Sequence, residues 1–221
     1  MKDNKKKLLI WGTGTISEIA SFYFTKDSNY EIVGYIEDEK KAEEINTFNT
    51  LNVYSILQIM KLFSPKDVEI FIAIGYRKTN RVRQSRFEEI KALGYNCASY
   101  ISSKAILFSD KIGENCFILE NNVIQPFVEI GDNVMLWSGN HIGHHSILEN
   151  NVFIASHVVI SGKCKVGKNT FLGVNCCLHD GVNVGEFSVV GAGSVVGASC
   201  EDHSVFSPQV TSARIIKRDV L

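Results

Sequence analysis

The sequence predicts a small α/β domain followed by a parallel β-helix. The first hundred residues alternate between strand-like and helix-like segments, whereas residues 106–196 repeat every six positions. A glycine that often follows the repeating aliphatic residue favours the same architecture for the second part. We therefore expect two domains, at residues 1–103 and 104–221.

The first domain has the pattern of a small parallel sheet covered by helices. Parallel strands need crossover connections that bury both faces of the sheet, so apolar strands and amphipathic helices should alternate. The expected strands are KLLIWG, EIVGYIED, VEIFIAIG and YNCASYI, and the expected helices are ISEIASFYF, SILQIMKLF and TNRVRQSRFEEIKALG.

The second domain is predicted by a six-residue period, which neither an amphipathic helix nor a plain strand can hold. Sixteen aliphatic residues share one phase, namely Ile106, Ile112, Ile118, Ile124, Ile130, Leu136, Ile142, Leu148, Ile154, Ile160, Val166, Leu172, Leu178, Val184, Val190 and Val196. The fourth residue after each should also point inward. That phase holds four of the six cysteines, which we interpret as small core fillers, and it holds Asn122 and Asn140, which should stack as a ladder.

Composition excludes several classes of function. A net charge of −1 gives no general attraction to nucleic acid or anionic lipid, and the apolar run after the basic residues Lys5–Lys7 is too short for a signal core or a membrane span. The cysteines show no Cys-x-x-Cys spacing. We expect a cytoplasmic protein with no nucleic-acid partner and no membrane insertion.

Histidines gather in the stretch GNHIGHHSIL, residues 139–148, and none precedes His141. Subtracting eighteen residues per coil brings His157 and His179 into the same arc as His141, His144 and His145, so five of the six should share one edge of the prism. None of these histidines occupies an inward phase, so core packing does not explain them. Three interpretations stay open: a solvated surface, a metal site or a proton-transfer site. Proton transfer is favoured over metal, because imidazoles on different sides of a corner converge poorly on one ion.

A filled β-helix has no cavity of its own, so a pocket on the histidine edge must be completed by a neighbouring domain or subunit. We therefore expect a closed cyclic oligomer with this edge facing a cleft between prisms.

The order of the two domains, with IGHHS midway and SGKCKVGKNTFLGVN after it, resembles the bacterial nucleotide-linked amino-sugar N-acetyltransferases. These include the bacillosamine-pathway and perosamine enzymes, and the sialic acid O-acetyltransferase-like proteins are relatives. The resemblance implies a Rossmann-like N-terminal domain, a left-handed β-helix, a homotrimer, acetyl-CoA as cosubstrate and no metal.

The resemblance also implies roles for individual residues. His144, two residues after Ile142, occupies the place of the general base, and His145 stands where an acidic residue is usual. Acetyl-CoA would contact the backbone around Ser161, Gly162 and Val174, with the Gly162 N–H as the candidate donor to the thioester oxyanion. Asp180 shares the column of His144 but lies two coils away, too far for direct contact.

The stretch GTGTIS follows a strand and opens a helix, so Gly12 and Gly14 could present backbone amides to a phosphate. Ser17 replaces the third glycine of a dinucleotide fingerprint, which argues against NAD. Two further segments follow matching strand ends and are also expected to contact the nucleotide-sugar. These are Asp38 (or Glu37) and the range from Gly75 through Arg77. For Asp38, the alternative is that it is simply an exposed turn residue. In the tail, Arg214 and Lys217 are candidates for contacts to CoA.

These observations predict an acetyl-CoA-dependent N-acetyltransferase that acts on a nucleotide-linked amino-deoxysugar for surface glycan synthesis. The alternatives are O-acetylation of a sugar of the sialic acid type and a non-catalytic β-helix that binds a ligand.

Overall fold

The computed structural model describes residues 5–209 of the chain, so Arg214 and Lys217 lie outside the described residues. The N-terminal part comprises β1 (Lys6–Trp11), α1 (Thr15–Lys26), β2 (Tyr30–Ile36), α2 (Glu39–Ile45), β3 (Thr47–Phe48), β4 (Leu51–Tyr54), α3 (Ile56–Leu62), β5 (Val68–Ile72) and α4 (Arg81–Ala92). The sheet order is β3-β4-β2-β1-β5, and every pair is parallel except the β3–β4 hairpin.

The central strands are apolar on both faces because both faces are covered. Along β1, Leu8 and Ile10 point into the core shared with α1 and the β-helix, whereas Leu9 and Trp11 point into the core beneath α3 and α4. This alternation is the two-residue period of a strand buried on both sides.

The last predicted strand of this domain, YNCASYI, is wrong as a strand of the N-terminal sheet. Only Cys97 bridges to Ile70 of β5, and Tyr100–Ile101 instead pairs with Phe117–Ile118 of the β-helix. The domain boundary at residues 103 and 104 stays a prediction.

The remainder of the chain winds into a three-sided parallel β-helix, and each side is a sheet of two-residue strands. The packed face, which the N-terminal domain covers, holds Tyr100–Ile101, Phe117–Ile118, Met135–Leu136, Phe153–Ile154, Phe171–Leu172, Val189–Val190 and Val205–Phe206. The histidine face holds Ile106–Leu107, Val123–Ile124, His141–Ile142, Val159–Ile160, Cys177–Leu178 and Val195–Val196. The charged face holds Glu129–Ile130, Ile147–Leu148, Lys165–Val166 and Asn183–Val184.

The interior follows the predicted phases from Ile112 onward, and the aliphatic residues from Ile118 to Val196 are buried. Ile106 is the exception. It pairs with Val123 and not with Ile124, so it points outward and is 52% exposed. The first coil is one residue shorter than the eighteen-residue coils that follow it, and the predicted phase is wrong there.

The inward cysteines and asparagines also lie where the period places them. Burial raises the pKa of the Cys116 and Cys176 thiols to about 12, which makes them inert fillers at neutral pH. The predicted ladder is confirmed, since Asn140 Nδ2 donates to Asn122 Oδ1 at 3.0 Å.

Each corner of the prism turns through a residue with left-handed backbone, which asparagine and glycine adopt most readily. Between the charged and packed faces, this residue is asparagine in four successive coils, at Asn115, Asn133, Asn151 and Asn169. Their side chains form a second, unpredicted ladder, with Nδ2 to Oδ1 distances of 2.7, 2.7 and 3.4 Å. Ile72 N–H of β5 donates to Asn115 Oδ1 at 2.8 Å, so this ladder reaches the N-terminal sheet.

Arg83 of α4 joins the two domains at this asparagine corner. Its fully buried guanidinium donates to Asn151 O at 2.8 Å in the β-helix and to Gly75 O at 3.2 Å in the loop after β5. Burial lowers its pKa to about 9, so it remains protonated at neutral pH. A single cation therefore fixes the loop after β5 against the β-helix.

Candidate active site

A cleft of about 520 Å³ lies at the carboxyl ends of β1, β2 and β5. All five N-terminal residues predicted to contact nucleotide-sugar line it, namely Gly12, Gly14, Asp38, Gly75 and Arg77. In an open α/β sheet, ligands bind in the crevice outside the carboxyl ends of the strands. The geometry thus brings these residues together, while their role stays a prediction.

The turn after β1 allows the backbone to form one wall of the cleft. Gly12 has φ +120°, and a Cβ there would stand 2.7 Å from Ser17 Oγ and 3.1 Å from Ala73 O. Gly14 caps α1 without any side chain, which leaves the first backbone N–H groups of that helix directed toward the cleft. A helix N-terminus of this kind favours an anionic group.

Cations in the cleft add to this preference. Arg77 is exposed and forms no ion pair within residues 5–209, and Lys41 pairs with the buried Glu37. Asp38 is exposed, as the alternative interpretation allowed, and its carboxylate contacts Arg86 Nη2 at 2.6 Å. The Arg86 guanidinium lies 5.2 Å from the centre of the Trp11 ring, which limits its freedom.

The histidines lie along one face of the β-helix and its two corners, not along one edge as predicted. His141 is on the flat histidine face, His157 is at the corner toward the packed face, and His144, His145 and His179 lie at or next to the corner toward the charged face. We call the last of these the His144 corner. Its left-handed residues are Phe127, His145, Lys163 and Gly181.

His144 is held on the outside of the His144 corner by both of its backbone groups. Its N–H donates to Gln125 Oε1 at 2.9 Å, and its carbonyl accepts from Lys163 N–H at 2.8 Å. The imidazole lies over Gly162 of the next coil, where a Cβ would stand 2.7 Å from Cε1 and 2.8 Å from Nε2. Within residues 5–209, no group forms a hydrogen bond with His144 Nε2, which leaves this nitrogen unpaired.

The Gly162 N–H, predicted as an oxyanion donor, is already engaged. It donates to Asp180 Oδ1 at 2.8 Å, and the same bond between successive coils recurs at Glu114 with Asp132 and at Glu186 with Asp202. A thioester oxygen would have to displace the Asp180 carboxylate to reach this donor. Asp180 therefore caps Gly162 and does not contact His144.

Ser161 and Val174, both predicted to contact acetyl-CoA, lie at opposite edges of the histidine face. Ser161 directly precedes Gly162, whereas Val174 precedes the left-handed Asn175 at the corner that also holds His157. At a rise of about 3.3 Å per residue, the two edges are roughly 15 Å apart. A single chain does not bring these residues together.

Sequence reasoning missed Arg83, Arg86, Lys41, Trp11 and Phe127. The arginines and the lysine are dispersed among 23 basic residues, and only the fold shows which of them enter the cleft or the domain contact. Trp11 could have been found, because it is the last residue of a strand whose carboxyl end faces the cleft.

Residues 5–209 hold neither a candidate metal cluster nor a helix able to span a membrane. No cluster of three or more histidine, cysteine or acidic side chains is arranged to hold a metal ion. Over the same residues, no helix has the length and apolar character needed to cross a bilayer.

Family models match most of the chain in three sections. Residues 7–90 match the PglD N-terminal domain, residues 111–140 and 129–162 match the bacterial transferase hexapeptide (six repeats), and residues 164–198 match the hexapeptide repeat of succinyl-transferase. The resemblance inferred from the sequence is confirmed: the chain joins a PglD-type N-terminal domain to transferase hexapeptide repeats.

Solved structures share the complete two-domain fold. The acetyltransferase domain of PglB from Neisseria gonorrhoeae, in complex with acetyl coenzyme A, has a TM-score of 0.80 at 23% identity over 91% of this chain and 96% of that one. PerB from Caulobacter crescentus, in complex with CoA and GDP-perosamine, has a TM-score of 0.75 at 22% identity over 90% and 92%. WeeI from Acinetobacter baumannii has a TM-score of 0.74 at 17% identity over 91% and 96%. The predicted fold, a Rossmann-like domain followed by a left-handed β-helix, is confirmed.

Curated relatives match only part of this chain. An acyl-[acyl-carrier-protein]--UDP-N-acetylglucosamine O-acyltransferase from Campylobacter concisus is 26% identical over 104 residues, which are 41% of this chain and 40% of that protein. One of the same description from Sinorhizobium fredii is 29% identical over 92 residues, 38% of this chain and 34% of that protein. The chain thus spans well under half of the length of these relatives.

Proposed function

We propose that this chain, a PglD-type N-terminal domain joined to transferase hexapeptide repeats, is an acetyl-CoA-dependent N-acetyltransferase acting on a nucleotide-linked amino-deoxysugar for surface glycan synthesis. The observation that carries the proposal is the His144 imidazole, fixed over Gly162 with Nε2 unpaired on the outside of a β-helix. The cleft at the carboxyl ends of β1, β2 and β5 supplies the second requirement, a place for an anionic nucleotide handle.

In the proposed reaction, the acceptor nitrogen attacks the thioester carbon while its proton passes to His144 Nε2. The tetrahedral oxyanion then collapses, the C–S bond breaks and CoA leaves as a thiolate, which can take up the proton. General-base assistance of this kind contributes about 10²- to 10⁴-fold in other enzymes. Positioning of the two substrates supplies much of the remaining rate, since a neutral amine is already a good nucleophile.

The acyl donor is proposed to lie along the histidine face. Ser161 and Gly162 at one edge of that face and Val174 at the other would contact CoA from two different subunits, because one subunit holds them roughly 15 Å apart. The PglB domain and PerB, which share this fold, are described in complex with acetyl coenzyme A and CoA respectively. For the Gly162 N–H to bind the thioester oxygen, Asp180 must release it.

The surface of the β-helix supports a homotrimer. The packed face is covered by the N-terminal domain, and the charged face carries ion pairs such as Lys111 with Glu129. The histidine face is uncovered and presents outward Val159 and Val195, which are 45% and 63% exposed. Apolar side chains in a row favour burial against another copy of the chain.

A closed oligomer also brings the two half-sites together. The N-terminal domain sits on the packed face, and the His144 corner is the one that this face does not touch. The filled interior of the prism lies between the cleft and His144 of the same chain. An acceptor held in one subunit's cleft should therefore reach His144 of a neighbour.

A sugar hydroxyl is the second candidate acceptor, because the curated relatives that match part of this chain are named O-acyltransferases. A hydroxyl would depend more strongly on His144, since it must lose its proton as it attacks. Sialic acid-type sugars represent this class.

The test is a screen for CoA release from acetyl-CoA with nucleotide-linked amino sugars, their N-acetylated forms and sialic acid as acceptors. Mass spectrometry of the products distinguishes an amide from an ester. We expect release only with an amino acceptor, and an at least hundredfold lower kcat for His144→Ala with unchanged CoA binding. His203→Ala is the matched control, because His203 lies at a different corner of the prism. CoA bound without release for any acceptor would favour a binding module instead.

A further inference from the structure

Within residues 5–209, His144 and His145 form a pair that no acidic side chain joins. Their Nδ1 atoms lie 3.1 Å apart, and the two rings are nearly perpendicular, at 88°. Two ring nitrogens at this distance must share one proton, so that one ring donates and the other accepts. The pair therefore sets which nitrogen of His144 is protonated.

The His145 ring is fixed independently of His144. Its backbone is left-handed, with φ 59°, and its N–H donates to Pro126 O at 3.2 Å. The ring packs on Phe127, one coil earlier, with the ring centres 4.6 Å apart at 37°. Phe127 is itself left-handed, with φ 65°, and is 67% exposed, so its aromatic ring is available at the surface as a support for His145.

A base at His144 Nε2 requires the proton to reside on His144 Nδ1. If His145 donated instead, His144 would carry its own proton on Nε2 and could not accept another there. When His144 donates, His145 Nδ1 accepts, and the remaining N–H of His145 is solvated because the residue is exposed. The free Nε2 of His144 then lies over Gly162, on the side where the proposed acyl donor sits.

We infer that His145 is a positioning residue that accepts a hydrogen bond from His144 Nδ1–H and thereby keeps His144 Nε2 free to take the acceptor's proton. The inference rests on the proposed function for the identity of the reaction, but not for the arrangement of the pair. During transfer His144 becomes an imidazolium, and its bond to His145 Nδ1 strengthens because the donor is then charged. A neutral imidazole thus fulfils the role of an acceptor at this position.

The position of His145 allows a clean series of variants. His145→Gly removes the acceptor without straining the left-handed backbone, whereas His145→Asn and His145→Asp tolerate that backbone and place Oδ1 as many bonds from it as Nδ1 is in histidine. His203 provides the matched control. It is also left-handed, with φ 61°, and stacks on Phe187 at 5.3 Å, yet within residues 5–209 no second imidazole contacts it.

The first measurement is the imidazole ¹⁵N NMR spectrum of histidine-labelled protein without substrate, with His144 assigned from its loss in His144→Gln. We expect His144 to be the Nδ1–H form in the unmodified protein and in the Asn and Asp variants, and to shift toward the Nε2–H form in His145→Gly. His203→Gly should leave the His144 signals unchanged. An Nε2–H form in the unmodified protein, or the same form in His145→Gly as in the unmodified protein, overturns the inference whatever reaction the protein catalyses.

The second measurement is kcat with the acceptor identified by the screen. We expect kcat to fall about ten- to hundredfold in His145→Gly, to return to within about fivefold in the Asn and Asp variants, and KM for acetyl-CoA to stay constant. Equal losses of kcat in all three variants would show that a hydrogen-bond acceptor at position 145 does not support the reaction. Failure of every acceptor would refute the proposed function but leave the NMR result to decide the role of His145.

Discussion

Gly162→Ala is the sharpest perturbation of the proposed base, because it adds one methyl group directly beneath the His144 imidazole. The added Cβ would stand 2.7 Å from His144 Cε1 and 2.8 Å from Nε2. The backbone of Gly162 is not left-handed, so alanine fits it without strain, and the N–H that contacts Asp180 is retained. The substitution therefore displaces the imidazole, and the KM for acetyl-CoA reports separately on the proposed contact between Gly162 and CoA.

The size of the effect follows from the clearance. Ordinary contact begins at 3.4 Å, so the imidazole must retreat by about 0.6–0.7 Å. A misplacement of about 1 Å can cost about a hundredfold in rate, so we expect kcat to fall about ten- to hundredfold. Stability should be kept or should rise by up to about 1 kcal/mol, because a compatible Gly→Ala change reduces the entropy of the unfolded chain.

Steady-state kinetics with acetyl-CoA and the acceptor found in the screen, together with a thermal melt, measure both effects. Gly197→Ala is the matched control, since Gly197 also lies beneath an imidazole, that of His179, but with 3.4 Å of clearance. It should have kcat and Tm close to those of the unmodified protein. Wild-type kcat in Gly162→Ala would mean that the imidazole over Gly162 does not take the proton, and the assignment of His144 as base would fail.

Three further predictions concern stability and thiol chemistry. Arg83→Met should lower the free energy of unfolding in urea by about 3–5 kcal/mol, because several buried carbonyls lose a charged donor; a loss under 1 kcal/mol would contradict the role of Arg83 between the domains. Hydrogen bonds lower the pKa of Asp27, and the largest contribution comes from the backbone N–H of Ser103. The ionised Asp27 therefore stabilises the fold above about pH 4, and this stabilisation is lost as pH falls through the folded pKa. Asp27→Asn should thus cost about 1 kcal/mol at pH 7 and converge with the unmodified protein as the pH falls below the folded pKa of Asp27, as thermal melts would show. Iodoacetamide followed by peptide mass spectrometry should leave the buried Cys116 and Cys176 unmodified in the folded protein and modify both in urea, and modification of either in the folded protein would contradict their placement.

The six-residue period predicted the β-helix because filling the interior constrains every corner-to-corner segment in the same way. It failed at Ile106, where Leu107 is also aliphatic. A slip of one residue there keeps an apolar side chain toward the interior, so the pattern cannot reveal it. The β3–β4 hairpin was missed for another reason, since strands of two and four residues are too short to establish a two-residue period.

The candidate site was predictable where geometry follows from strand ends. Gly12, Asp38 and Gly75 lie in one cleft because the carboxyl ends of parallel strands meet there. Subtracting eighteen residues per coil placed the histidines less precisely, because an arc of six residues spans a whole face from corner to corner. The His144–His145 contact could not be predicted at all, since it depends on the left-handed backbone of His145 and on the Phe127 ring.

The placement of the cleft and of His144 on opposite sides of one filled prism has a genetic consequence. A variant damaged only at the cleft, such as Arg77→Glu, and a variant damaged only at His144 should each be inactive alone. In the proposed homotrimer, unfolding the two variants together and refolding them as mixed assemblies should restore part of the activity, because an intact cleft from one subunit then meets an intact imidazole from another. Two defective alleles of this protein would therefore complement each other.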